Sequence, residues 1–118
     1  MPKKIAFTLY PVKDLPAARA FYEGALGLTT SASATTPWVE YDLAGGGCFA
    51  ITTVLSDQPS ASAGGTVAFE VEDIEGLVAG LRAKGVRMGH SELIRGPHCR
   101  MMTVFDPDGN SLILHQLD

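Results

Sequence analysis

The sequence has few of the features that mark several broad classes of protein. It contains two cysteines in 118 residues, Cys48 and Cys99, and their spacing matches neither a disulfide framework nor a zinc motif. Acidic residues outnumber basic ones by 13 to 9, and the net charge of −4 disfavours nucleic-acid binding, which needs an excess of positive charge. The apolar runs, such as residues 112–114, are too short to cross a membrane.

Motifs for common chemistries are also missing. No phosphate-binding loop, dinucleotide-binding glycine fingerprint or Ser-His-Asp pattern occurs in the sequence. Lys3 and Lys4 are not followed by the apolar segment that a signal peptide needs. We therefore expect a cytoplasmic protein with no nucleic-acid partner and no membrane partner.

Two segments have the pattern of a capped amphipathic helix. The first begins after Asp14, a favourable N-cap residue, and ends at Gly27. The second begins after Asp73 and ends at Gly85. Between these bounds apolar residues recur every three or four positions, so each helix is predicted to pack one face against a sheet.

The other segments alternate between apolar and polar residues or are rich in β-branched residues, which predicts strands. The predicted strands are residues 5–10, 29–34, 38–43, 48–54, 66–71, 86–95, 98–105 and 111–117. Glycines at 45–47 predict a hairpin turn. The Asp-Pro-Asp-Gly-Asn sequence at 106–110 predicts a second tight turn.

The two halves of the chain repeat each other. The helix caps Asp14 and Asp73 lie 59 positions apart, and the helix-ending glycines, Gly27 and Gly85, lie 58 positions apart. Each half is therefore predicted to contain a strand, a helix and three further strands, and such a duplication indicates a two-module fold.

The repeat predicts an α+β protein built from tandem βαβββ modules, with half-barrel sheets and the helices on their outer faces. Module 1 covers residues 4–55 and module 2 covers residues 66–117, joined by a linker at 56–65 that is rich in Ser, Ala, Pro and Gly. Two half-barrels that face each other enclose a cavity, where a small molecule would bind.

Two stretches at opposite ends of the chain resemble a known superfamily. Residues 12–28 (VKDLPAARAFYEGALGL) resemble the opening module of vicinal oxygen chelate proteins, which include glyoxalases, bleomycin-resistance proteins and extradiol dioxygenases. Residues 105–114 (FDPDGNSLIL) resemble the closing hairpin of these proteins. The resemblance implies the same fold for nearly the whole chain. It also implies a homodimer, with the cavity formed either within one chain or across a swapped dimer.

Metal-using members of the superfamily take one ligand, usually His, Gln or Glu, from each of four strands. The matching positions here are Phe7, Thr52, Thr66 and Ile113. Phenylalanine and isoleucine have no donor atom, and a neutral threonine hydroxyl is a poor ligand without carboxylate or imidazole partners. The resemblance and these residues together predict that the metal site is lost and that no cofactor is bound.

Strand alternation extends the predicted cavity face outward from these four positions. The predicted ligand-binding residues are Phe7, Leu9, Trp38, Ala50, Thr52, Thr66, Ala68, Ile113 and His115. On the strand at 38–43, Trp38, Glu40 and Asp42 are expected to face the cavity, while the alternate residues face the helix. We expect a mostly apolar cavity with Phe7 and Trp38 as aromatic walls, although Trp38 also has a plain interpretation as a packing residue.

Glu40, Glu70 and His115 are the candidates for acid–base catalysis, provided that burial shifts their pKa values toward neutrality. The plainer interpretation is that Glu40 and Glu70 are solvated residues at the cavity rim and that His115 has a surface or hydrogen-bonding role. His98 and Arg100 follow the turn at 96–97, where they could anchor an anionic group or simply start a strand. The role of Cys99 stays open in the same way.

Two classes of function follow from these residues. The first is metal-independent binding of a small apolar or aromatic molecule in the cavity between the modules, as in the sequestering resistance proteins of the superfamily. The alternative is a metal-dependent or metal-free lyase, isomerase or dioxygenase that acts on a small carbonyl or ring substrate. The sequence does not decide whether the protein is an enzyme.

Overall fold

The computed structural model describes residues 5–118, and the chain divides into two compact units between Pro59 and Ser60. Unit 1 contains β1 (Thr8–Pro11), α1 (Leu15–Arg19) with its π-helical continuation (Ala20–Ala25), β2 (Trp38–Asp42) and β3 (Cys48–Thr52). Unit 2 contains β4 (Val67–Glu70), α2 (Ile74–Ala83), β5 (Ile94–Arg95), β6 (Cys99–Phe105) and β7 (Ser111–Leu117). None of the helices in residues 5–118 has the length and apolar character of a membrane span.

Both helices have the caps that the sequence predicts. The carboxylates of Asp14 and Asp73 each accept a hydrogen bond from the backbone N–H three residues ahead, at 3.0 and 3.1 Å. Gly27 and Gly85 follow the helices with φ of +76° and +80°, a left-handed conformation that glycine adopts without steric cost. The same start and stop signals therefore position the helix in each unit.

The sheet of unit 1 has the strand order β1-β3-β2, with β1 parallel and β2 antiparallel to the central strand. Tyr22 of the helical segment packs on this sheet, and its ring centroid lies 5.0 Å from that of Phe49 and 6.2 Å from that of Tyr41. All three side chains are buried. This aromatic cluster is the core of unit 1 and fixes one face of the sheet against the helix.

The sheet of unit 2 has the strand order β4-β7-β6-β5, with β4 parallel to β7 and the other pairs antiparallel. Helix α2 covers one face, and the Ile74 N–H at its start donates to Gln116 Oε1 at 2.8 Å. The buried apolar residues of this helix and sheet are Ile74, Val78, Leu81, Phe69, Met102, Val104, Leu112 and Leu114. In each unit we call the sheet face opposite the helix the distal face.

The predicted turn at residues 106–110 joins β6 to β7 through a network of hydrogen bonds. Asp106 is buried, and its Oδ1 accepts the backbone N–H groups of Asp108 and Asn110, each at 2.9 Å. Asn110 Oδ1 accepts the backbone N–H of Ser60 at 2.9 Å, which ties the start of unit 2 to this turn. The predicted linker at 56–65 therefore contains the boundary between the units, and its second half belongs structurally to unit 2.

The α+β class with tandem helix-and-sheet modules is confirmed, but two predicted strands were wrong. Residues 29–34 form no strand, because Arg19 donates hydrogen bonds to the carbonyl oxygens of Ser33 and Ala32, at 2.6 and 3.4 Å, which a neighbouring strand would otherwise use. Residues 86–95 contain the short β5 and an isolated bridge from Met88 to Val104, because the polar run after Gly89 interrupts the alternation.

Candidate functional site

Strand alternation divides β2 between the two faces of the unit 1 sheet. Val39 and Tyr41 are fully buried toward the helix, whereas Trp38 is half-buried and Glu40 and Asp42 are exposed. The strand register places Trp38 opposite Thr52, and Glu40 opposite Ala50, which pairs in turn with Leu9. The distal face of unit 1 therefore brings together Leu9, Trp38, Ala50 and Thr52 of the predicted ligand-binding set.

The Trp38 ring is held from two sides. Its Nε1–H donates to Glu40 Oε2 at 2.9 Å. Phe7 contacts it edge to face, with ring centroids 5.8 Å apart and the planes at 81°. Phe7 itself is 44% exposed. The pair is thus a pre-oriented aromatic surface that a flat ligand can reach.

A groove of about 700 Å³ borders Trp38 in unit 1. We call it the unit 1 groove; its floor is Trp38, Glu40 and Asp42, and its wall is formed by Thr29, Thr30, Ser31, Ala32, Ser33 and Thr36. Hydroxyl groups fix the wall to β2, since Thr30 Oγ1 donates to the Glu40 carbonyl at 2.7 Å and Thr36 Oγ1 to the Trp38 carbonyl at 3.1 Å. The segment mistaken for a strand therefore serves as the wall of the groove.

The lining of this groove is more polar than the sequence predicts. Trp38 offers a ring face for stacking, while Glu40, Asp42 and the wall hydroxyls offer hydrogen-bonding groups. Of the predicted ligand-binding residues, Trp38 alone lines the groove. The run of Ser and Thr at 29–33 was the available signal for the missed wall, because such residues hydrogen-bond to nearby backbone and favour loops over strands.

A partly buried polar network supports the groove wall from the helix side. Glu23 Oε2 accepts Arg19 Nε–H at 2.6 Å and the Tyr41 hydroxyl at 2.9 Å. The hydrogen bond from Arg19, helped by that from Tyr41, lowers the pKa of Glu23. Burial and the neighbouring Glu23 raise the pKa of Tyr41, so the phenol stays protonated and donates. The network fixes the guanidinium of Arg19, which donates hydrogen bonds to backbone carbonyls of the groove wall.

Cys48, on the distal face of unit 1, is not activated as a nucleophile. Burial raises the pKa of Cys48, and the carboxylates of Glu40 and Asp42 raise it further. A neutral thiol is a poor nucleophile, since the thiolate is the reactive form.

In unit 2, Glu70 and His115 form a pair on the distal face. His115 Nδ1 lies 2.5 Å from Glu70 Oε1, and the backbone N–H of Leu117 donates to Glu70 Oε2 at 2.8 Å. The bond to His115 lowers the pKa of Glu70, and the Leu117 N–H lowers it further. A catalytic role for Glu70 required burial to raise its pKa toward neutrality, but its pKa is lowered instead. Glu70 is therefore suited to orient His115 rather than to act as the base.

The neighbours of this pair are mostly apolar. Ala68 and Ile113 of the predicted set lie on the same distal face, paired across β4 and β7. Met101 pairs with His115 and Thr103 with Ile113, so both also belong to this face although the sequence prediction missed them. Alternation from the buried Met102 and Val104 was sufficient to identify them.

The geometry predicts a specific titration for Glu70. In wild type its carboxyl should titrate below the ordinary value of 4.5, and H115A should move the midpoint up, because the largest cause of the shift is removed. Carboxyl ¹³C NMR during acid titration measures this directly. The pair contributes stability above pH 4.5 and loses it as pH falls through the lowered pKa, so E70Q and wild type should converge in acid. An unchanged midpoint in H115A would contradict the pairing.

The four positions of the superfamily's metal ligands do not fit a metal ion. The hydroxyl of Thr52 is buried and donates to the Pro37 carbonyl at 2.9 Å, while it accepts the Val54 N–H at 3.0 Å. Phe7 and Ile113 carry no donor atom. The part of the chain that the structure describes also contains no group of three or more His, Cys, Asp or Glu side chains placed to bind a metal.

Comparison with known families decides the assignment. The family model described as Glyoxalase/Bleomycin resistance protein/Dioxygenase superfamily matches residues 4–114, nearly the whole chain. The chain belongs to this superfamily. The resemblance seen in residues 12–28 and 105–114 is thereby confirmed. No curated protein matches the chain by sequence.

Solved structures share the fold of this superfamily member. The antibiotic-binding protein TnmS3 from Streptomyces sp. CB03234 is 21% identical, with a TM-score of 0.77 over 99% of this chain and 98% of that one. The fosfomycin resistance protein FosX from Listeria monocytogenes is 20% identical, with a TM-score of 0.77 over 100% and 96%. A lactoylglutathione lyase from Agrobacterium tumefaciens is 18% identical, with a TM-score of 0.75 over 98% and 94%. At these identities the likeness concerns the fold.

Proposed function

We propose that the protein binds a small, flat aromatic molecule on the distal face of unit 1 and that it does so without a metal ion. The observation that carries this proposal is the Trp38 ring, which Phe7 and Glu40 hold in place beside a groove of about 700 Å³. A ring fixed before the ligand arrives loses little conformational entropy on binding, which favours affinity.

Metal independence rests on the donor chemistry of the superfamily's ligand positions. Phe7 and Ile113 offer no lone pair, and both hydrogen-bonding roles of the Thr52 hydroxyl are taken by backbone groups. Antibiotic binding by TnmS3, as its name states, gives a precedent for ligand binding on this fold. Because carboxylates and hydroxyls also line the groove, we expect the aromatic ligand to carry polar substituents that form hydrogen bonds with them.

The single tryptophan of the chain makes the test specific to the site. Titration with 2-naphthol, and separately with bleomycin, should change the fluorescence of Trp38 saturably, and calorimetry should give the same Kd. The protein should first be treated with a chelator. Absence of a saturable response to either probe and to a wider panel of flat aromatic compounds would contradict the proposal.

A second candidate function is metal-free acid–base catalysis in unit 2. It is favoured by the contact between Glu70 and His115, since a carboxylate on Nδ1 orients the ring and favours the tautomer in which Nε2 is the proton acceptor. A ring substrate with an acidic C–H next to a carbonyl suits such a base.

Proton exchange tests this second candidate without knowledge of the substrate. If His115 acts as a base, the protein should accelerate deuterium uptake by 2-indanone in D₂O, and H115A should remove the acceleration. H90A is the matched control, because the His90 side chain lies outside the pair. Equal rates for wild type and H115A would exclude His115 as a base for this probe.

A homodimer and a cytoplasmic location remain predictions. The dimer is supported by large apolar side chains that are exposed in the single chain, among them Ile5, Val54 and Leu117. Sedimentation equilibrium tests it, and a monomeric mass at micromolar concentration would count against it.

A further inference from the structure

The charged residues along the unit 1 groove are all of one sign. Its floor contains the carboxylates of Glu40 and Asp42, and none of the residues that the structure places along it is a lysine, an arginine or a histidine. Both carboxylates are exposed on β2. They lie two positions apart on the same face of the strand, which separates their Cα atoms by about 7 Å.

The negative charge of these carboxylates is not neutralised within the described part of the chain. None of the ion pairs in residues 5–118 includes Glu40 or Asp42. Arg19 holds the groove wall from the helix side, but it forms an ion pair with Glu23 at 2.6 Å. Burial raises the pKa of the Cys48 thiol, and the two carboxylates raise it further. A charged ligand in the groove therefore meets a negative potential.

Two hydroxyls of the wall have no proton left for an anion. Thr30 Oγ1 donates to the Glu40 carbonyl at 2.7 Å and accepts the Ala32 N–H at 3.1 Å. Thr36 Oγ1 donates to the Trp38 carbonyl at 3.1 Å and accepts the Trp38 N–H at 3.4 Å. Since a hydroxyl has one proton and two lone pairs, each oxygen retains one lone pair. A lone pair accepts a hydrogen bond from an ammonium group and repels an anion.

The position of Glu40 relative to the Trp38 ring suits a stacked ligand with a cationic side chain. Because the Trp38 Nε1–H donates to Glu40 Oε2 at 2.9 Å, this carboxylate lies at the edge of the ring rather than over its face. A ligand ring stacked on Trp38 can extend a short side chain past that edge. The face of an indole ring also attracts cations more strongly than that of phenylalanine or tyrosine.

We propose that the unit 1 groove selects an aromatic ligand that carries a protonated amine, with the ring on Trp38 and the ammonium group against the carboxylates of Glu40 and Asp42. This inference rests on the proposed function, because it names the class of ligand for the same site. No third His, Cys, Asp or Glu of residues 5–118 joins the two carboxylates to form a metal site, so an organic cation suits them better than a metal ion.

Three naphthalene derivatives that share one ring system test the charge preference. At pH 7, 2-naphthylmethylamine is a cation, 2-naphthylmethanol is neutral and 2-naphthoate is an anion. In low salt, calorimetry should show that the amine binds at least about tenfold more tightly than the alcohol, and that the naphthoate binds at least about tenfold more weakly than the alcohol. Because salt screens exposed charges, the advantage of the amine over the alcohol should fall to about threefold or less in about 0.5 M NaCl.

Substitutions separate the charge of the carboxylates from the shape of the groove. D42N should reduce the preference for the amine over the alcohol about threefold, and E40Q/D42N should remove it. Since a glutamine oxygen can still accept the Trp38 Nε1–H, both variants should bind the alcohol with wild-type affinity, which also shows that they fold. D57N is the matched control, because Asp57 is an exposed carboxylate of unit 1 outside the groove, and it should change no Kd.

The outcomes distinguish this inference from the proposed function on which it rests. If the alcohol and the naphthoate bind as tightly as the amine, or if E40Q/D42N retains the preference for the amine, the class of ligand is wrong although an aromatic ligand still binds at Trp38. If none of the three probes binds, the inference and the proposed function are both overturned.

Discussion

Replacement of Trp38 with alanine should weaken binding of 2-naphthol about 30-fold, measured by calorimetry. The reason is that Trp38 supplies the stacking surface of the unit 1 groove and is oriented by both Phe7 and Glu40. A buried aromatic anchor of this kind is worth about 2 kcal/mol in a typical interface, which corresponds to that change in Kd.

Two controls separate the ring surface from general damage to the fold. W38F retains an aromatic surface and should lose no more than about fivefold in affinity. F105L removes an aromatic ring from unit 2 and should leave naphthol binding at its wild-type value. If W38A binds as tightly as wild type while its thermal unfolding is unchanged, the ligand does not stack on Trp38 and the proposed site is wrong.

F49A should lower the free energy of unfolding by about 3–5 kcal/mol, measured by urea denaturation. Phe49 lies on the central strand of unit 1 and is 1% exposed. Its ring centroid is 5.0 Å from that of Tyr22 and 5.2 Å from that of Tyr10, so its removal leaves a cavity that the neighbouring rings cannot fill.

The matched comparison is the same substitution at an exposed phenylalanine. F7A should cost less than about 1 kcal/mol, because Phe7 is 44% exposed and removal of its ring leaves no buried cavity. F7A should nevertheless weaken naphthol binding, since the edge contact that orients Trp38 is lost. Equal stability losses for F49A and F7A would mean that the aromatic cluster is not the core of unit 1.

The helices and most strands could be predicted because their signals are local. Asp14, Gly27, Asp73 and Gly85 act on the backbone within one helical turn, and each does what its residue type implies. The strand at 111–117 was predicted at its observed bounds, because the turn sequence at 106–110 marks where it begins. The segment at 29–34 was wrongly predicted as a strand. Its backbone carbonyls accept hydrogen bonds from Arg19, which lies on a helix more than ten residues earlier in the chain. No local pattern contains that contact.

Strand alternation predicts which face of the sheet a side chain of the candidate site lies on. It does not predict which side chains hydrogen-bond to each other. Alternation placed Trp38 and Glu40 on the distal face, where the structure also has them. It could not reveal that Glu40 accepts the Trp38 Nε1–H, or that His115 and Leu117 lower the pKa of Glu70. The unit 1 groove was missed because its wall is an irregular segment, and the position of such segments follows from tertiary hydrogen bonds rather than from periodicity.

The most direct test of the account is a fluorescence titration of Trp38 with 2-naphthol at three metal conditions. One sample is treated with a chelator, one receives Zn²⁺ and one receives Ni²⁺. Because Phe7, Thr52, Thr66 and Ile113 offer no usable ligand set, the three Kd values should agree within about twofold. Binding that disappears on chelation and returns with either cation would contradict metal-independent binding.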